Sequence, residues 1–357
     1  WRAVDHDAPL APHDHRHRLG VFHQAAAKEV TAAIDAAERA RPAWAALPWE
    51  QRAAVFLRAA ELLATTRRDL LNGSTMLGQS KTVHQAEIDA ACELADFWRF
   101  NPWFVQRIYE EQPLSAPGAW NRLEHRPLDG FVFAVTPFNF TSIAGNLPTA
   151  PVLLGNTVVW KPASTSIYSN WFLLKILEEA GLPPGVINFV PGPGAAVGDP
   201  VLADARLGGV HFTGSTAVFQ GIWTTIGKNI ARYGCYPRLV GETGGKDFVF
   251  AHASADVPAL CTALVRGAFE YQGQKCSAAS RAYVPRSLWK ATRDLLGSML
   301  AEVQMGDVAD FRNFVGAVID ARSFGKLRAA IEAARKSPDA EVLFGGSDRG
   351  ELEGDAL

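Results

Sequence analysis

The chain has 357 residues, of which 48% are hydrophobic and 20% are charged, a composition typical of globular proteins with room for two domains. The 35 basic and 37 acidic residues nearly cancel, and this lack of a basic excess argues against nucleic acid as a main partner. No apolar run reaches the roughly 18 residues that a membrane span needs, and four scattered cysteines exclude a disulfide scaffold or a zinc ribbon.

The first third of the sequence is predicted to be mainly helical. Residues 24–46, 49–71 and 84–100 are rich in helix-forming residues, and their apolar positions recur every three or four residues. The apolar face predicted for the third segment consists of Ile88, Ala91, Ala95 and Trp98. Residues 112–130 hold several Pro and Gly around a strand-like stretch, which predicts an extended excursion or a hairpin.

The middle of the sequence changes to short apolar runs rich in strand-forming residues. These runs lie at 131–138, 156–162, 186–191 and 209–214. Continuous apolar runs of this length are typical of strands that are buried on both faces of a parallel sheet. Helical segments separate them, most clearly 167–180, which ends at a glycine. The alternation predicts βαβ units and an α/β fold with a doubly wound sheet.

A second α/β block follows Gly244 and Gly245, and the domain boundary is predicted between Gly241 and Lys246. Strands are predicted at 247–251, 280–285 and 340–345, and helices at about 256–271, 287–303 and 322–336. Neither block contains an internal repeat or a low-complexity segment.

Two glycine-containing turns follow predicted strands. The turn VPGPGAAVG at 190–198 resembles a dinucleotide-binding turn, but its last glycine comes one residue later than in the usual fingerprint. A purely structural turn therefore explains it equally well. In FTGS at 212–215, Gly214 lets the backbone approach a ligand, and Ser215 either caps the next helix or donates to a phosphate. The residue types alone leave both interpretations of each turn open.

Cys276 is the candidate nucleophile among the four cysteines. In EYQGQKCSAASR it lies between a predicted helix and a predicted strand, and its small neighbours leave it accessible. Lys275 or a nearby helix N-terminus would favour its thiolate. The alternative is a buried structural cysteine, the commoner fate of a free thiol. No histidine lies close in sequence to act as its base, so a papain-like site would need a distant one.

Three further polar residues stand at the ends of predicted strands, where α/β proteins bind ligands. Glu242 in GETGGK lies among glycines that permit close approach, so it is either a general base or an ordinary surface carboxylate. The amide of Asn139 in TPFNFTS would donate to an oxyanion or cap the next helix. Lys161 in VVWKPAS would contact an anion or a ribose, or extend its ammonium group to water.

The histidine-rich segment HDHRHR at 13–18 is interpreted as solvated polar chain. Histidine is a common metal ligand, but this segment lies near a chain end and no second cluster of ligands accompanies it. We therefore expect no metal site.

Taken together and in this order, five motifs resemble the aldehyde dehydrogenase superfamily. They are PFN at 137–139, WKPA at 160–163, FTGS at 212–215, ETGGK at 242–246 and GQKCSA at 273–278. Longer stretches at 85–101, 137–146 and 269–278 resemble one branch of it, the monofunctional delta-1-pyrroline-5-carboxylate dehydrogenases, also called L-glutamate γ-semialdehyde dehydrogenases. The resemblance implies a Rossmann-type NAD-binding domain at 1–245, with an oligomerisation hairpin at about 112–130, and an α/β catalytic domain at 246–357.

The resemblance also implies the chemistry, which is NAD-dependent oxidation of L-glutamate γ-semialdehyde to L-glutamate in proline catabolism. In this scheme Cys276 attacks the aldehyde carbon, and Asn139 together with the Cys276 backbone N–H holds the oxyanion. Hydride transfer from the thiohemiacetal to the nicotinamide leaves a thioester, and Glu242 activates the water that hydrolyses it.

The ligand contacts that the resemblance implies are carried over residue by residue. The cofactor contacts are Thr136, Lys161, Gly214, Ser215, Thr216, Ala217 and Val218, and the substrate contacts are Glu93, Phe140 and Ser277. Glu93 would face the substrate ammonium group and Ser277 its carboxylate, as a zwitterionic substrate requires. Ser164 stands where many relatives have Glu or Asp, which removes a repulsion against a 2′-phosphate; NAD is expected, with NADP still allowed.

The resemblance does not extend over the C-terminal pattern of the family. The EEIFGP-like segment, whose Glu grips the nicotinamide ribose, and the loop that anchors the substrate carboxylate have no counterpart in the sequence. We therefore expect either a partial sequence or a truncated chain that does not turn over substrate by itself. The expected full-length form is a homo-oligomer in a bacterial cytoplasm, with the mitochondrial matrix as the other compartment. The alternatives are a different oxidation within the superfamily, an acyl-phosphate reductase of the same fold, or an inactive cofactor-binding or structural form.

Overall fold

The structure is a computed structural model that describes residues 6–7 and 9–346. The helices are α1 (Ala27–Ala46), α2 (Trp49–Ala64), α3 (Arg68–Gln79), α4 (Val83–Ala86), α5 (Leu94–Glu110), α6 (Thr141–Leu153), α7 (Ile167–Glu179), α8 (Gly194–Ala203), α9 (Thr216–Lys228), α10 (Val257–Phe269), α11 (Arg286–Glu302) and α12 (Ala321–Lys336). The strands are β1 (His6–Asp7), β2 (Leu10–Ala11), β3 (Asp14–Arg18), β4 (Phe22–His23), β5 (Phe131–Val135), β6 (Val158–Lys161), β7 (Ile187–Phe189), β8 (Leu207–Thr213), β9 (Arg238–Glu242), β10 (Phe248–Phe250) and β11 (Arg281–Tyr283). None of the helices described has both the length and the apolar character needed to cross a membrane.

The chain divides into two compact units. The first consists of Trp1–Pro9, Val21–Ser74 and Glu87–Thr243, and the second of Leu10–Gly20, Thr75–Ala86 and Gly244–Leu357. The division after Thr243 lies inside the predicted boundary window. The sequence did not predict that two earlier segments belong to the second unit. Parts of the two predicted domains lie outside the described residues, namely 1–5 and 8 of the first and 347–357 of the second.

The first unit is built on a five-stranded parallel sheet in the order β7-β6-β5-β8-β9. Four of these strands coincide with the apolar runs of the sequence, and the fifth, β9, ends at Glu242. The chain runs outwards from β5 to β7 and then continues on the other side of β5 with β8, so the order reverses between β5 and β8. The predicted doubly wound parallel sheet is confirmed.

Both faces of this sheet are covered by helices, because successive side chains of each strand alternate between two apolar cores. On one face Val132 and Trp160 join helices α2, α5, α6 and α7 in a cluster that includes Trp98. On the other face Phe131 and Val210 pack with α1, α8 and α9. Burial on both sides explains why these strands are continuous apolar runs in the sequence.

The single helix predicted at 49–71 is wrong, because the chain forms two helices there. Helix α2 ends at Ala64, and α3 begins four residues later. In the turn between them the Arg67 N–H donates to the Leu62 carbonyl at 2.8 Å. Two consecutive threonines, 65 and 66, lie in this turn, and β-branched residues extend a helix poorly.

The helix predicted at 84–100 is interrupted by a π-helical stretch, Glu87–Glu93, between α4 and α5. A π turn holds more residues than an α turn, so it shifts which side chains face the core. As a result Ile88, predicted to belong to the apolar face, is 45% exposed, whereas its neighbour Asp89 is buried. The other three residues predicted for that face, Ala91, Ala95 and Trp98, are buried as expected.

The excursion predicted at 112–130 leaves α5 and returns to β5, but it forms no strand in the part of the chain that is described. It doubles back at Gly118, whose φ is +78°. The stretches before and after this turn are joined by a side chain rather than by paired backbones, because the Leu123 N–H donates to Gln112 Oε1 at 2.9 Å. Three of its large apolar side chains are exposed, namely Leu114, Trp120 (78%) and Leu123, whereas Leu128 packs against the core.

The second unit contains a βαβ element in which β10 and β11 pair in parallel and α10 connects them. Ala251, Leu260 and Leu264 form its small apolar core, against which Leu296 of α11 packs. The strand predicted at 340–345 is wrong, because no strand is formed there among the described residues. An apolar run becomes a strand only where a neighbour takes up its backbone N–H and C=O groups.

Most of the histidine-rich segment is exposed, as predicted, but it forms a strand, which the sequence analysis did not predict. Asp14–Arg18 form β3, which pairs antiparallel with β2. The side chain of His13 is only 6% exposed, and its Nε2 lies 3.7 Å from Asp307 Oδ1. Within the described residues, no group of three or more His, Cys, Asp or Glu side chains is arranged to hold a metal ion.

Candidate active site

The carboxyl ends of the five parallel strands form one edge of the sheet in the first unit. Thr136 and Asn139 follow β5, Lys161 ends β6, Gly214 follows β8 and Glu242 ends β9. The edge of a doubly wound sheet at the point where strand order reverses is where such folds bind ligands. The fold therefore places five of the residues selected from the sequence along this one edge of the sheet.

Thr136 and Lys161 are tied together at this edge. The Thr136 N–H donates to the Lys161 carbonyl at 3.2 Å, and Thr136 Oγ1 accepts from Trp160 Nε1 at 2.9 Å. Lys161 is half-buried, its Nζ donates to Pro162 O at 3.0 Å, and burial lowers the pKa of this ammonium group. An anionic or hydroxyl ligand that accepts a hydrogen bond from this partly desolvated ammonium group would replace the hydration that the group has lost.

The turn between β8 and α9 presents a helix N-terminus at the same edge. Ser215 is the N-cap of α9, and its Oγ accepts from the Val218 N–H at 3.4 Å, so the structure shows the capping role proposed for it. A Cβ at Gly214 would lie 2.7 Å from the Phe212 ring, so a larger residue would displace that ring. The exposed first turn consists of Thr216, Ala217 and Val218. Its N–H groups and the helix dipole suit a phosphate.

Asn139 and Phe140 are half-buried in the loop that joins β5 to α6. Phe140, not Asn139, is the N-cap residue of α6. The N–H groups of Thr141 and Ser142 donate to the carboxylate of Asp89 at 3.0 and 2.9 Å, so a distant acid caps this helix. The sequence analysis missed Asp89, although an acid inside an alanine-rich apolar face was a signal.

Glu93 lies at the end of the π-helical stretch and is half-buried. Its Oε2 accepts from the Ser142 hydroxyl at 2.8 Å. Ser142 is the second residue of α6, so this bond ties the predicted substrate acid to the helix that follows the Asn139 loop.

Cys276 lies in the second unit, half-buried in a turn of the nucleophile loop (residues 270–278). It is a free cysteine, and it stands between α10 and β11 as predicted. A Cβ at Gly245 would lie 2.3 Å from the Cys276 carbonyl oxygen, so a glycine there permits the close approach of two backbones. Lys275, expected to favour the thiolate, instead places its Nζ 2.9 Å from the Glu270 carboxylate. The neighbouring substrate candidate Ser277 is exposed.

The backbone around the nucleophile loop is strained. Among the described residues, the non-glycine residues with positive φ are Ser80, Tyr271 and Gln272, at 53°, 53° and 56°. Gln272 Nε2 donates to the Ser80 carbonyl at 3.2 Å, and the Lys81 ammonium lies 4.4 Å from the centre of the Tyr271 ring. Such conformations cost free energy and persist only where the surroundings hold them. No local sequence signal identifies this cluster, because its members are far apart in the sequence.

The sequence pattern of the aldehyde dehydrogenase family matches residues 5–356, and the chain belongs to this family. The doubly wound sheet agrees with this membership, so the chain is an α/β protein of the aldehyde dehydrogenase family.

Particular relatives narrow the comparison. A mitochondrial delta-1-pyrroline-5-carboxylate dehydrogenase of Dictyostelium discoideum is 51% identical over 348 residues, which make up 97% of this chain and 62% of that protein. The human mitochondrial protein of the same name is 46% identical over 338 residues, or 94% of this chain and 60% of that protein. A crystal structure of the enzyme from Mycobacterium tuberculosis, bound with NAD, matches with a TM-score of 0.95 and 57% identity, covering 97% of this chain and 65% of that chain. The chain thus spans less than two thirds of the length of each of these relatives.

Proposed function

We propose that the protein oxidises L-glutamate γ-semialdehyde to L-glutamate with NAD, a step of proline catabolism. The observation that carries this proposal is that an accessible cysteine, an amide-bearing loop and a strand-end carboxylate each occur in a family motif. Relatives named delta-1-pyrroline-5-carboxylate dehydrogenase support the choice of substrate.

Cys276, Asn139 and Glu242 divide the chemistry between them. The Cys276 thiolate adds to the aldehyde carbon, and the new oxyanion accepts hydrogen bonds from the Asn139 amide and the Cys276 N–H. Once the carbon is oxidised, a thioester remains on Cys276. Glu242 removes a proton from the water that attacks this thioester, which releases glutamate and restores the thiol.

NAD fits the residues at the sheet edge. The first turn of α9 would offer N–H groups to a diphosphate, Gly214 would permit a close approach of the backbone, and the Lys161 ammonium group would donate to a ribose hydroxyl. Thr136 lies between them at the end of β5. When bound, the nicotinamide would accept the hydride that leaves the thiohemiacetal carbon. Because Ser164 carries no charge that would repel a 2′-phosphate, activity with NAD and with NADP should be compared directly.

The substrate carries an ammonium group and a carboxylate in addition to its aldehyde. Glu93 offers a carboxylate to the ammonium group, and the exposed Ser277 hydroxyl donates to the substrate carboxylate. Phe140, half-buried beside Asn139, supplies apolar contact for the carbon chain. These assignments make an amino-acid semialdehyde a better substrate than a simple aldehyde.

The test is NADH formation by the purified full-length protein when the semialdehyde and NAD are supplied. Cys276→Ala should abolish NADH formation while NAD still binds. Glu242→Gln should release one NADH per Cys276 and then stall, because the thioester is no longer hydrolysed. Cys235→Ala, a second half-buried thiol, serves as the matched control and should keep full activity. A Cys276→Ala protein that still oxidises the semialdehyde would refute the mechanism, and wild-type protein that binds NAD without forming NADH would favour the inactive cofactor-binding form.

The remaining parts of the proposal concern organisation. We propose that residues 1–245 bind the cofactor, that residues 246–357 carry the nucleophile, and that the excursion at 112–130 takes part in a homo-oligomer. Its exposed apolar side chains support this last role. For location we propose a bacterial cytoplasm, with the mitochondrial matrix as the alternative; several relatives are named as mitochondrial proteins.

A further inference from the structure

We propose that Asp89 is the positioning residue of the oxyanion loop (residues 136–140), and that Ser142 extends its restraint to Glu93. The inference rests on the proposed function, because the roles of Asn139 and Glu93 come from there. Asp89 and Ser142 act only through other residues, and neither contacts the reacting atoms.

Asp89 is 1% exposed and uses both carboxylate oxygens on the start of α6. Its Oδ2 accepts from the Thr141 N–H at 3.0 Å. Its Oδ1 accepts from the Ser142 N–H at 2.9 Å and from the Ser142 hydroxyl at 2.7 Å. The π-helical stretch turns this acid inwards, because the wider turn moves Asp89 onto the face that an uninterrupted helix would have given to its neighbours.

The start of α6 is a position where a carboxylate is stabilising. The first N–H groups of a helix have no acceptor within the helix, and they form its positive end. A Ser, Thr, Asp or Asn at the N-cap usually accepts from them, but the N-cap here is Phe140, whose side chain holds no acceptor. Asp89 supplies the missing acceptor from another part of the chain.

The consequence reaches Asn139, which precedes Thr141 by two residues. On its other side the oxyanion loop is fixed by β5 inside the sheet. The body of α6 is held separately, since Trp98 Nε1 donates to Thr149 Oγ1 at 3.1 Å. Asp89 therefore determines where the loop ends, and an oxyanion donor must stand about 2.7–3.1 Å from the oxygen that it stabilises.

Ser142 connects this restraint to Glu93. Its hydroxyl lies 2.7 Å from Asp89 Oδ1 and 2.8 Å from Glu93 Oε2, yet it carries one proton and can donate it fully to one carboxylate at a time. A substrate ammonium group that pairs with Glu93 would relieve this competition and leave the proton to Asp89. The Ser142 hydroxyl thus lies between the carboxylate proposed to recognise the amino group and the carboxylate that holds the start of α6.

The first test is a double-mutant cycle in the full-length protein. Asp89→Asn keeps the size of the side chain but replaces one acceptor by an N–H₂ group that faces backbone N–H groups. We expect kcat to fall by about 10-fold to 100-fold, less than the loss of about 100-fold to 1,000-fold typical for removing an oxyanion donor outright. In the Asn139→Ala background the same change should cost less than about threefold, because residues that act through one another are not additive. Losses that multiply in the double variant would overturn the proposal.

The second test separates the two residues by substrate. Ser142→Ala should raise KM for the semialdehyde about fivefold or more and change kcat by less than about twofold, as expected when uniform binding is lost. With butyraldehyde, which has no ammonium group, Ser142→Ala should behave as wild type, whereas Asp89→Asn should still lower kcat. Equal effects of Ser142→Ala on both substrates would overturn the link to Glu93.

A control and a measurement without turnover complete the design. Asp320 caps α12 by accepting from the Ser323 N–H at 2.7 Å, so Asp320→Asn makes the same chemical change at the start of another helix and should leave kcat unchanged. Hydrogen exchange at Thr141 and Ser142 should accelerate in Asp89→Asn and stay unchanged in Asp320→Asn. If wild-type protein forms no NADH, the proposed function fails, and the exchange rates alone then support or overturn the restraint by Asp89.

Discussion

Replacing Arg52 with Met tests how the helix that follows the oxyanion loop is held at its far end. Arg52 lies in α2 and is 4% exposed. Its Nε donates to the Leu153 carbonyl at the end of α6 at 3.0 Å. Its Nη1 donates to the carbonyls of Leu47 and, at 3.4 Å, Ala45 at the end of α1. One guanidinium group thus satisfies the terminal carbonyls of two helices.

The expected loss of unfolding free energy is about 2–4 kcal/mol. A buried acceptor left without a donor costs about 1–3 kcal/mol, and three carbonyls lose theirs, although water reaches some of them. Removal of the charge returns part of the desolvation penalty of the guanidinium group, whose burial also lowers its pKa. Met preserves most of the packing of the aliphatic stem, so the loss measures the polar contacts.

The assay is urea unfolding followed by circular dichroism, with the free energy taken from the shift of the midpoint at a constant slope. Arg58→Met is the matched control, because Arg58 is exposed on the same helix, and it should change stability by less than about 0.5 kcal/mol. Arg52→Lys keeps the charge but has a single ammonium group in place of the guanidinium fork. Its unfolding free energy should therefore lie between those of Arg52→Met and Arg58→Met. If Arg52→Met unfolds at the same urea concentration as the control, the guanidinium group does not hold the helix ends.

Three further predictions concern other residues. Burial lowers the pKa of His211 from 6.5, so the folded state resists protonation, and stability should fall as the pH drops below that value; His211→Gln should flatten this dependence, and an unchanged pH profile would contradict it. Gly245→Ala should cost about 1–3 kcal/mol and slow alkylation of Cys276, since its Cβ meets the Cys276 carbonyl, whereas Gly244→Ala, whose Cβ meets nothing within 4 Å, should do neither. Lys161→Ala should weaken NAD binding about tenfold or more in calorimetry, because it removes a charge-assisted hydrogen bond, and unchanged affinity would remove Lys161 from the cofactor site.

Local patterns were enough to predict the sheet and the candidate residues along its edge. Four apolar runs became β5 to β8, because strands buried on both faces need no polar positions. Strand ends could then be located, and the polar residues that follow them could be assigned to one edge of the sheet. Motifs of adjacent residues, such as the one around Cys276, depend on sequence neighbours alone and were therefore visible without a structure.

Contacts between distant parts of the chain could not be predicted in this way. Asp89 became a helix cap because a π-helical turn changed its face, and Arg52 joined the ends of two helices, neither of which contains it. Residues 340–345 have the pattern of a strand and form none in the described chain, because the backbone needs a neighbour that the sequence does not reveal.

The sequence by itself thus determined the family, the parallel sheet and the residues proposed for the chemistry, since each is encoded in runs of neighbouring residues. The tertiary structure alone decided how those residues are held in place. Asp89 accepts from backbone N–H groups at the start of α6, and Gln272 of the nucleophile loop donates to the backbone carbonyl of Ser80, in each case far away in the sequence. Their effect depends on burial and on hydrogen-bond geometry, which exist only after the chain has folded.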